Sequence, residues 1–103
     1  MKGLSDLVRQ AQIMQKKMAK LQEELAEKTV EASAGGGMVT AVAYGDMRLA
    51  SLSIDPSVVD SSDVEMLQDL VLSAANEALK KAKEMSQGEL SALTGGLQLP
   101  GMF

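Results

Sequence analysis

Apolar residues in the first quarter of the chain recur at alternating spacings of three and four residues. The members of this series are Leu4, Leu7, Ala11, Met14, Met18, Leu21 and Leu25. Apolar a and d positions over three heptads, with no glycine or proline after Gly3, are typical of a long amphipathic helix. The pattern predicts a helix from about Leu4 to Glu27, roughly 36 Å long at 1.5 Å per residue, with Ser5 placed to cap its start.

The pattern then changes from the period of a helix to the period of a strand. Polarity alternates over three segments, residues 29–34, 38–44 and 47–54. The segments are separated by the glycines 35–37 and by Gly45 and Asp46, which are typical of tight turns. Two such turns in succession predict a three-stranded antiparallel meander, which ends before Pro56.

A second helical series follows the strands. It comprises Leu67, Leu70, Val71, Ala74, Ala78, Ala82 and Met85. Ser62 with Glu65 three residues later is a capping-box pattern, and Gly88 either ends the helix near Gln87 or is absorbed into it. The predicted fold class is α+β: an αβββα subunit whose three-stranded meander is flanked by two long helices. We expect a single domain over residues 1–93 and a flexible Gly/Pro-containing C-terminal tail over residues 94–103.

The predicted subunit leaves surfaces that a single chain does not cover. A three-stranded sheet has an unpaired edge, which natural proteins rarely leave bare. The first helix is also too long for so small a sheet, so its apolar series must continue past the rim. Both features predict a homodimer. The alternative is a monomer with a frayed first helix.

Charge is distributed unevenly along the chain. The first twenty residues carry about +4 and the remainder about −8, within a formal net charge of −4. The candidate DNA-binding residues of the first helix are Arg9, Lys16, Lys17 and Lys20. Cations along a rigid helix suit the phosphates of duplex DNA. A helix face that is basic merely for solubility is the alternative.

A second group of candidate DNA-binding residues lies late in the second predicted helix: Lys80, Lys81 and Lys83. The structural alternative is that these cations interact with the helix macrodipole and with Glu77 and Glu84. If both helices project on one side of a dimer, the two groups could flank one duplex.

The composition argues against several classes of function. The chain has no Cys and no His, so we expect no catalytic residue, no metal and no cofactor. Tyr44 and Phe103 are the only aromatic residues, which leaves few platforms for stacking unpaired bases. Arg9, Gln10, Gln12 and Gln15 could reach base edges. Glutamine is nevertheless ordinary on helix surfaces, and we expect phosphate-led binding with weak sequence preference. Without a long apolar run or a signal-peptide core, we expect a cytoplasmic protein that does not contact membranes.

Several separated motifs resemble one known family. They are the N-terminal run MKGLSDLVRQAQIMQKKMAKLQEELAEKTVEASAGGGMV, the internal segments IDPS and NEALKKAKE, and the C-terminal LTGGLQLPGMF. In this order, over nearly the whole chain, they resemble the YbaB/EbfC family of bacterial nucleoid-associated proteins. The resemblance implies a tweezer-like homodimer with helices projecting from a joined sheet. It also implies binding to double-stranded DNA in the nucleoid, with a role in nucleoid organisation and gene regulation.

A protein-interaction adaptor is the rival interpretation. The heptad helix would then dock a partner, and the C-terminal tail would supply apolar anchors at Leu97, Leu99, Met102 and Phe103. Such a tail is unusual for a protein that only binds DNA.

Overall fold

The computed structural model of the chain describes residues 2–95. The elements are, in order, α1 (Lys2–Leu25), β1 (Thr29–Ala34), β2 (Val39–Tyr44), β3 (Leu49–Ile54) and α2 (Val64–Leu93), with a short 3₁₀ helix at Pro56–Val58. This order confirms the predicted αβββα subunit. The predicted tail lies outside the described residues from position 96 onward, so the division of the chain at residue 93 stays a prediction. Within residues 2–95, no helix combines the length and apolar character needed to cross a membrane.

The three strands form one antiparallel sheet in the order β1-β2-β3. β2 therefore lies in the middle, and β1 and β3 form the two edges. A bulge between Val42 and Ala43 interrupts the pairing of β2 with β3. Gly35, Gly36 and Gly37 connect β1 to β2 with φ angles of 62°, 67° and 94°, a region that side chains with a β-carbon rarely adopt. The antiparallel pairing of consecutive strands confirms the predicted meander.

α2 packs on one face of the sheet through small side chains. The buried residues of this layer are Ala32, Val39, Ala41, Ala43, Ala74, Ala78 and Ala82. The alanines of α2 are one helical turn apart, and the β2 residues alternate, so each row follows the period of its own element. α2 covers β1 and β2 but barely reaches β3. The core is therefore narrow and leaves one strand uncovered.

The start of α2 differs from the sequence prediction by one residue. Asp63, not Ser62, is the N-cap, and its carboxylate accepts a hydrogen bond from the backbone N–H of Met66 at 3.2 Å. Ser62 instead donates its hydroxyl to Asp60 at 2.7 Å. The predicted capping box is wrong, because Asp60 engages Ser62 in the preceding turn. Gly88 is absorbed into α2, which continues beyond it.

α1 is joined to the rest of the subunit at its C-terminal end. Leu25 is buried there, and Lys28 forms an ion pair with Glu89 of α2. Gly45 lies against the same junction, where its N–H donates to the carbonyl of Lys28 at 2.9 Å. A β-carbon at Gly45 would lie 2.5 Å from the carbonyl oxygen of Leu25. The second turn of the meander can therefore approach the end of α1 only as glycine.

The remainder of α1 extends away from the sheet. The longest dimension of the molecule is 73 Å, against 23 Å and 16 Å for the other two. Helices of the lengths of α1 and α2 would measure about 81 Å end to end, so α1 continues the long axis instead of lying on the sheet. We call residues 3–20 of α1 the arm. Ser5 lies inside this helix, which begins at Lys2, so the prediction that Ser5 caps it is wrong.

Candidate nucleic-acid interface

The arm carries its cations on the face opposite its apolar series. Successive residues of an α-helix are rotated by about 100°, so Arg9, Lys16 and Lys20 lie within about 40° of one another. Leu7 lies on the other side of the helix, about 160° from Arg9. Lys17 is rotated by about 100° from Lys16, toward the edge of the apolar series. The arm therefore has one basic face and one apolar face.

The side chains of the four arm cations are exposed to solvent. In the part of the chain that the structure describes, the ion pairs are Lys28 with Glu89 and Arg48 with Asp46, and none involves an arm cation. From Arg9 to Lys20 the basic face measures about 17 Å along the helix axis. Duplex DNA presents one phosphate charge about every 1.7 Å of its axis. Each arm cation can consequently meet a phosphate without first giving up a carboxylate partner.

Acidic residues mark the end of the basic face nearest the sheet. Glu23 and Glu24 follow Lys20 at the base of α1, Glu27 lies in the turn just after it, and all three are exposed. These carboxylates would repel a duplex that approached the sheet along α1. The charge pattern therefore favours the arm over its base as the place where a polyanion binds.

The three lysines of α2 do not share one face. Lys81 donates from its Nζ to the backbone carbonyl of Glu31 on β1 at 3.1 Å. Lys80 and Lys83 are rotated by about 100° and 160° from Lys81 and project away from β1. α2 continues to Leu93, so the group lies well before the last turn, where a macrodipole effect would act. The α2 lysines lie over the sheet, whereas the arm cations lie beyond the end of the sheet. A single chain therefore does not bring the two groups together.

Sequence reasoning missed an apolar groove between β3 and α2. Leu49, Leu52 and Ile54 of β3 are on the sheet face that carries α2, yet they remain 49%, 42% and 36% exposed. Leu72 and Leu79 line the other side of the groove, because Lys81 places the opposite flank of α2 over β1. Leu72 is 61% exposed. We call this surface the β3 groove.

The sequence indicates that the third strand has an apolar face, but it does not indicate that α2 leaves this face uncovered. The third strand alternates like the second, which indicates a face that needs cover. The buried stripe of α2 is made of single alanines, and such a narrow stripe covers only two strands. Which two strands it covers depends on helix placement, and that does not follow from periodicity.

Comparisons with known proteins define the class of this chain, a small nucleoid-associated DNA-binding protein and not an enzyme. A crystal structure of an uncharacterized protein from Helicobacter pylori superposes with a TM-score of 0.78 and 28% identity, covering 88% of this chain and 96% of that chain. A nucleoid-associated protein of Thermoanaerobacter pseudethanolicus is 55% identical over 98% of this chain and 91% of its own length. Another, from Acetivibrio thermocellus, is 59% identical over 98% of this chain and 90% of its own length.

The family model of the YbaB/EbfC DNA-binding family matches residues 1–97. The chain belongs to the YbaB/EbfC DNA-binding family, and the family predicted from the sequence motifs is confirmed.

Proposed function

We propose that the protein binds double-stranded DNA as a homodimer with low sequence selectivity, and thereby contributes to nucleoid organisation and gene regulation. The observation that carries the proposal is the basic face of the arm with its exposed Arg9, Lys16 and Lys20, together with the exposed Lys17 beside that face. The names of the family and of the bacterial relatives support the same conclusion. Binding in the nucleoid places the protein in the cytoplasm.

The β3 groove supports the homodimer. The outer edge of β3 has no strand beside it in the described chain. α2 does not cover the apolar side chains of β3. A second copy can pair its own β3 with this edge and cover the groove with its equivalent surface, which is the self-complementary contact of a two-fold dimer. Such pairing would extend the sheet from three strands to six and remove the exposed edge. The tweezer-like shape would follow from two arms that leave one joined sheet.

Phosphate contacts account for low selectivity. A Lys or Arg that meets a phosphate releases a condensed counterion, and this gain is the same at every sequence. The arm adds glutamines that are exposed beside its cations, but a single helix face with flexible Lys side chains fixes no base register. The acidic body would keep the duplex away from the sheet and restrict it to the arms.

Lys80, Lys81 and Lys83 are proposed as a second DNA contact. Lys80 and Lys83 project from the surface, whereas Lys81 is held by the carbonyl of Glu31. We therefore expect Lys81 to contribute less to DNA affinity than its two neighbours. In a dimer, this group becomes part of the interface only if the duplex follows the long axis from an arm onto α2.

Single-charge substitutions test the proposed interface. Lys16→Gln should weaken binding to unrelated duplexes by a similar factor, because it removes the same phosphate contact from each. Arg48→Gln is the matched control, since it removes one charge from a side chain already paired with Asp46 at 2.7 Å. Fluorescence anisotropy on several duplexes of equal length measures both. Equal losses of affinity for the two variants would show that only net charge matters and would contradict a contact at the arm.

The exposed apolar face of α1 also favours the second candidate function, a protein-interaction adaptor. The tail that would complete this adaptor lies outside the described residues. Deleting residues 94–103 distinguishes the two functions. A DNA-binding protein keeps its DNA affinity after the deletion, whereas an adaptor loses its protein partner in a pull-down and shows no salt-sensitive DNA binding.

A further inference from the structure

The outer part of the apolar face of the arm has no cover within the described residues. Leu4 and Leu7 are 60% and 63% exposed, although they belong to the same heptad series that is buried at Leu25, and the adjacent Val8 is 51% exposed. Met18, at the inner end of the arm, and Leu21, at its base, are half-buried. Only the outer part of the series is therefore free. The basic face lies on the opposite side of the helix, so a contact here leaves Arg9, Lys16 and Lys20 accessible, while Lys17 lies at its edge.

We propose that the outer parts of two arms pair antiparallel, and that this contact links one dimer to another. A parallel pair would bring the two bases together, where α2 already packs against α1. An antiparallel pair keeps the two bodies at opposite ends. It also forms consistent layers: Leu7 lies beside Ala11 of the second copy, Leu4 lies beside Met14, and Val8 meets Val8 near the two-fold axis.

The flanking positions are compatible with this register. Gln10 meets Gln10 of the second copy, and Lys17 meets Gly3, so no like charges face each other. Three or four apolar side chains from each arm form the whole contact. Such a surface is smaller than the roughly 1,200 Å² of stable complexes, so the contact is weak between free dimers. Binding to a shared duplex raises the effective concentration of neighbouring arms and strengthens it.

The two arms of one dimer do not satisfy this geometry. Each α1 is joined to β1, the edge of the sheet far from β3. Across a joined six-stranded sheet the two β1 strands would be about 24 Å apart, whereas packed helices are 8–10 Å apart. Arms of one dimer would also either run parallel or point away from each other. The antiparallel partner is therefore an arm of a different dimer, an inference that rests on the proposed β3-joined homodimer.

Cross-linking tests the contact directly, because the natural chain has no cysteine. Val8→Cys places one thiol near the proposed two-fold axis, and Ile13→Cys is the matched control. Ile13 is 47% exposed, close to the 51% of Val8, but is rotated by about 140° toward the basic face. The full-length variants are treated with a short bis-maleimide, alone and on a long duplex. Covalent pairs are counted on denaturing gels, and the native mass is measured by light scattering.

The expected result is several-fold more covalent pairing for Val8→Cys than for Ile13→Cys, a further increase on the long duplex, and cross-linked particles of four or more chains. Adding Leu7→Asp to Val8→Cys should reduce the yield by more than about tenfold, since each pair of arms buries both Leu7 side chains. Equal yields for the two cysteine variants, or cross-linked particles of only two chains, would overturn the proposal.

Binding of the Val8→Cys variant to a short duplex separates this proposal from the proposed function. Intact DNA binding without preferential cross-linking overturns the contact between arms alone. Four-chain cross-linking without DNA binding supports that contact and overturns the DNA-binding function.

Discussion

At the scale of single residues, two glycines serve opposite purposes. Gly45 allows the second turn to approach the carbonyl of Leu25, where a β-carbon would lie only 2.5 Å away. Gly88 lies inside α2 with nothing within 4 Å of its β-carbon position. The first glycine is required by packing, whereas the second only adds flexibility to the helix. Their substitution should therefore change stability in opposite directions.

Alanine at these two positions tests that difference. Gly45→Ala should lower the free energy of unfolding by about 1–3 kcal/mol, because the rigid backbone of Leu25 must shift. Gly88→Ala should raise it by about 0.5–1 kcal/mol, the usual gain from replacing glycine within a helix. Urea unfolding followed by circular dichroism measures both. A stabilising Gly45→Ala would contradict the close approach of the turn to α1.

Two aspartates make the stability of the folded state depend on pH in the acidic range. The backbone N–H and the hydroxyl of Ser57 hold the pKa of Asp55 below its ordinary value of 3.8. The hydroxyl and N–H of Ser62 do the same for the pKa of Asp60. Because both pKa values are lower in the folded state, their stabilisation is fully present above the unfolded pKa and is lost as pH falls through the folded pKa.

Thermal unfolding across acidic pH checks this assignment. The double variant Asp55→Asn, Asp60→Asn should be less stable than the natural chain above about pH 5. The difference should shrink as pH falls below 3.8 and disappear once pH lies below the lowered pKa values of the folded state, where the natural carboxylates are themselves protonated. A constant difference from pH 2 to pH 7 would show that charge plays no part.

At the scale of elements, the sequence predicted what depends on local periodicity. The apolar spacing of α1 and α2 and the glycine turns of the meander predicted the order and type of both α-helices and all three strands, but not the short 3₁₀ helix at Pro56–Val58. Details that depend on which of several nearby side chains forms a hydrogen bond were missed. Ser62, for example, donates its hydroxyl to Asp60, and Asp63 caps α2 instead. The basic residues of the arm could be named from the sequence. The β3 groove could not, because it depends on which strands α2 covers.

The β3 groove predicts the effect of one substitution on assembly. Leu52→Lys should reduce the solution mass from two chains to one, because it places a charge within the proposed dimer contact. Leu52 is 42% exposed in the single chain, so the subunit should remain folded. Ser53→Lys is the control on the same strand, since Ser53 pairs with Thr40 and points to the opposite sheet face. Light scattering measures the mass, and circular dichroism checks the fold. A two-chain mass for Leu52→Lys would contradict dimerisation through this groove.

At the scale of the whole molecule, shape and charge support one another. A 73 Å subunit with its basic face on a projecting arm presents cations far from its acidic body. The proposed binding of a duplex to the arm is therefore compatible with the acidity of the protein as a whole, which has a pI of 4.7. Net charge alone would have argued against DNA binding. Segregation of charge onto one rigid element reverses that conclusion.

The central claim, that the arms bind DNA through phosphates, is tested most directly by the salt dependence of binding. Anisotropy of a labelled random duplex should give a linear plot of log affinity against log salt, with a slope near −0.9 per phosphate contact. Replacing Arg9, Lys16, Lys17 and Lys20 by Gln should weaken binding and make the slope shallower by about 0.9 for each phosphate that the variant no longer neutralises. An unchanged slope and affinity in this variant would contradict the claim, and the arm would then be a solvated helix face.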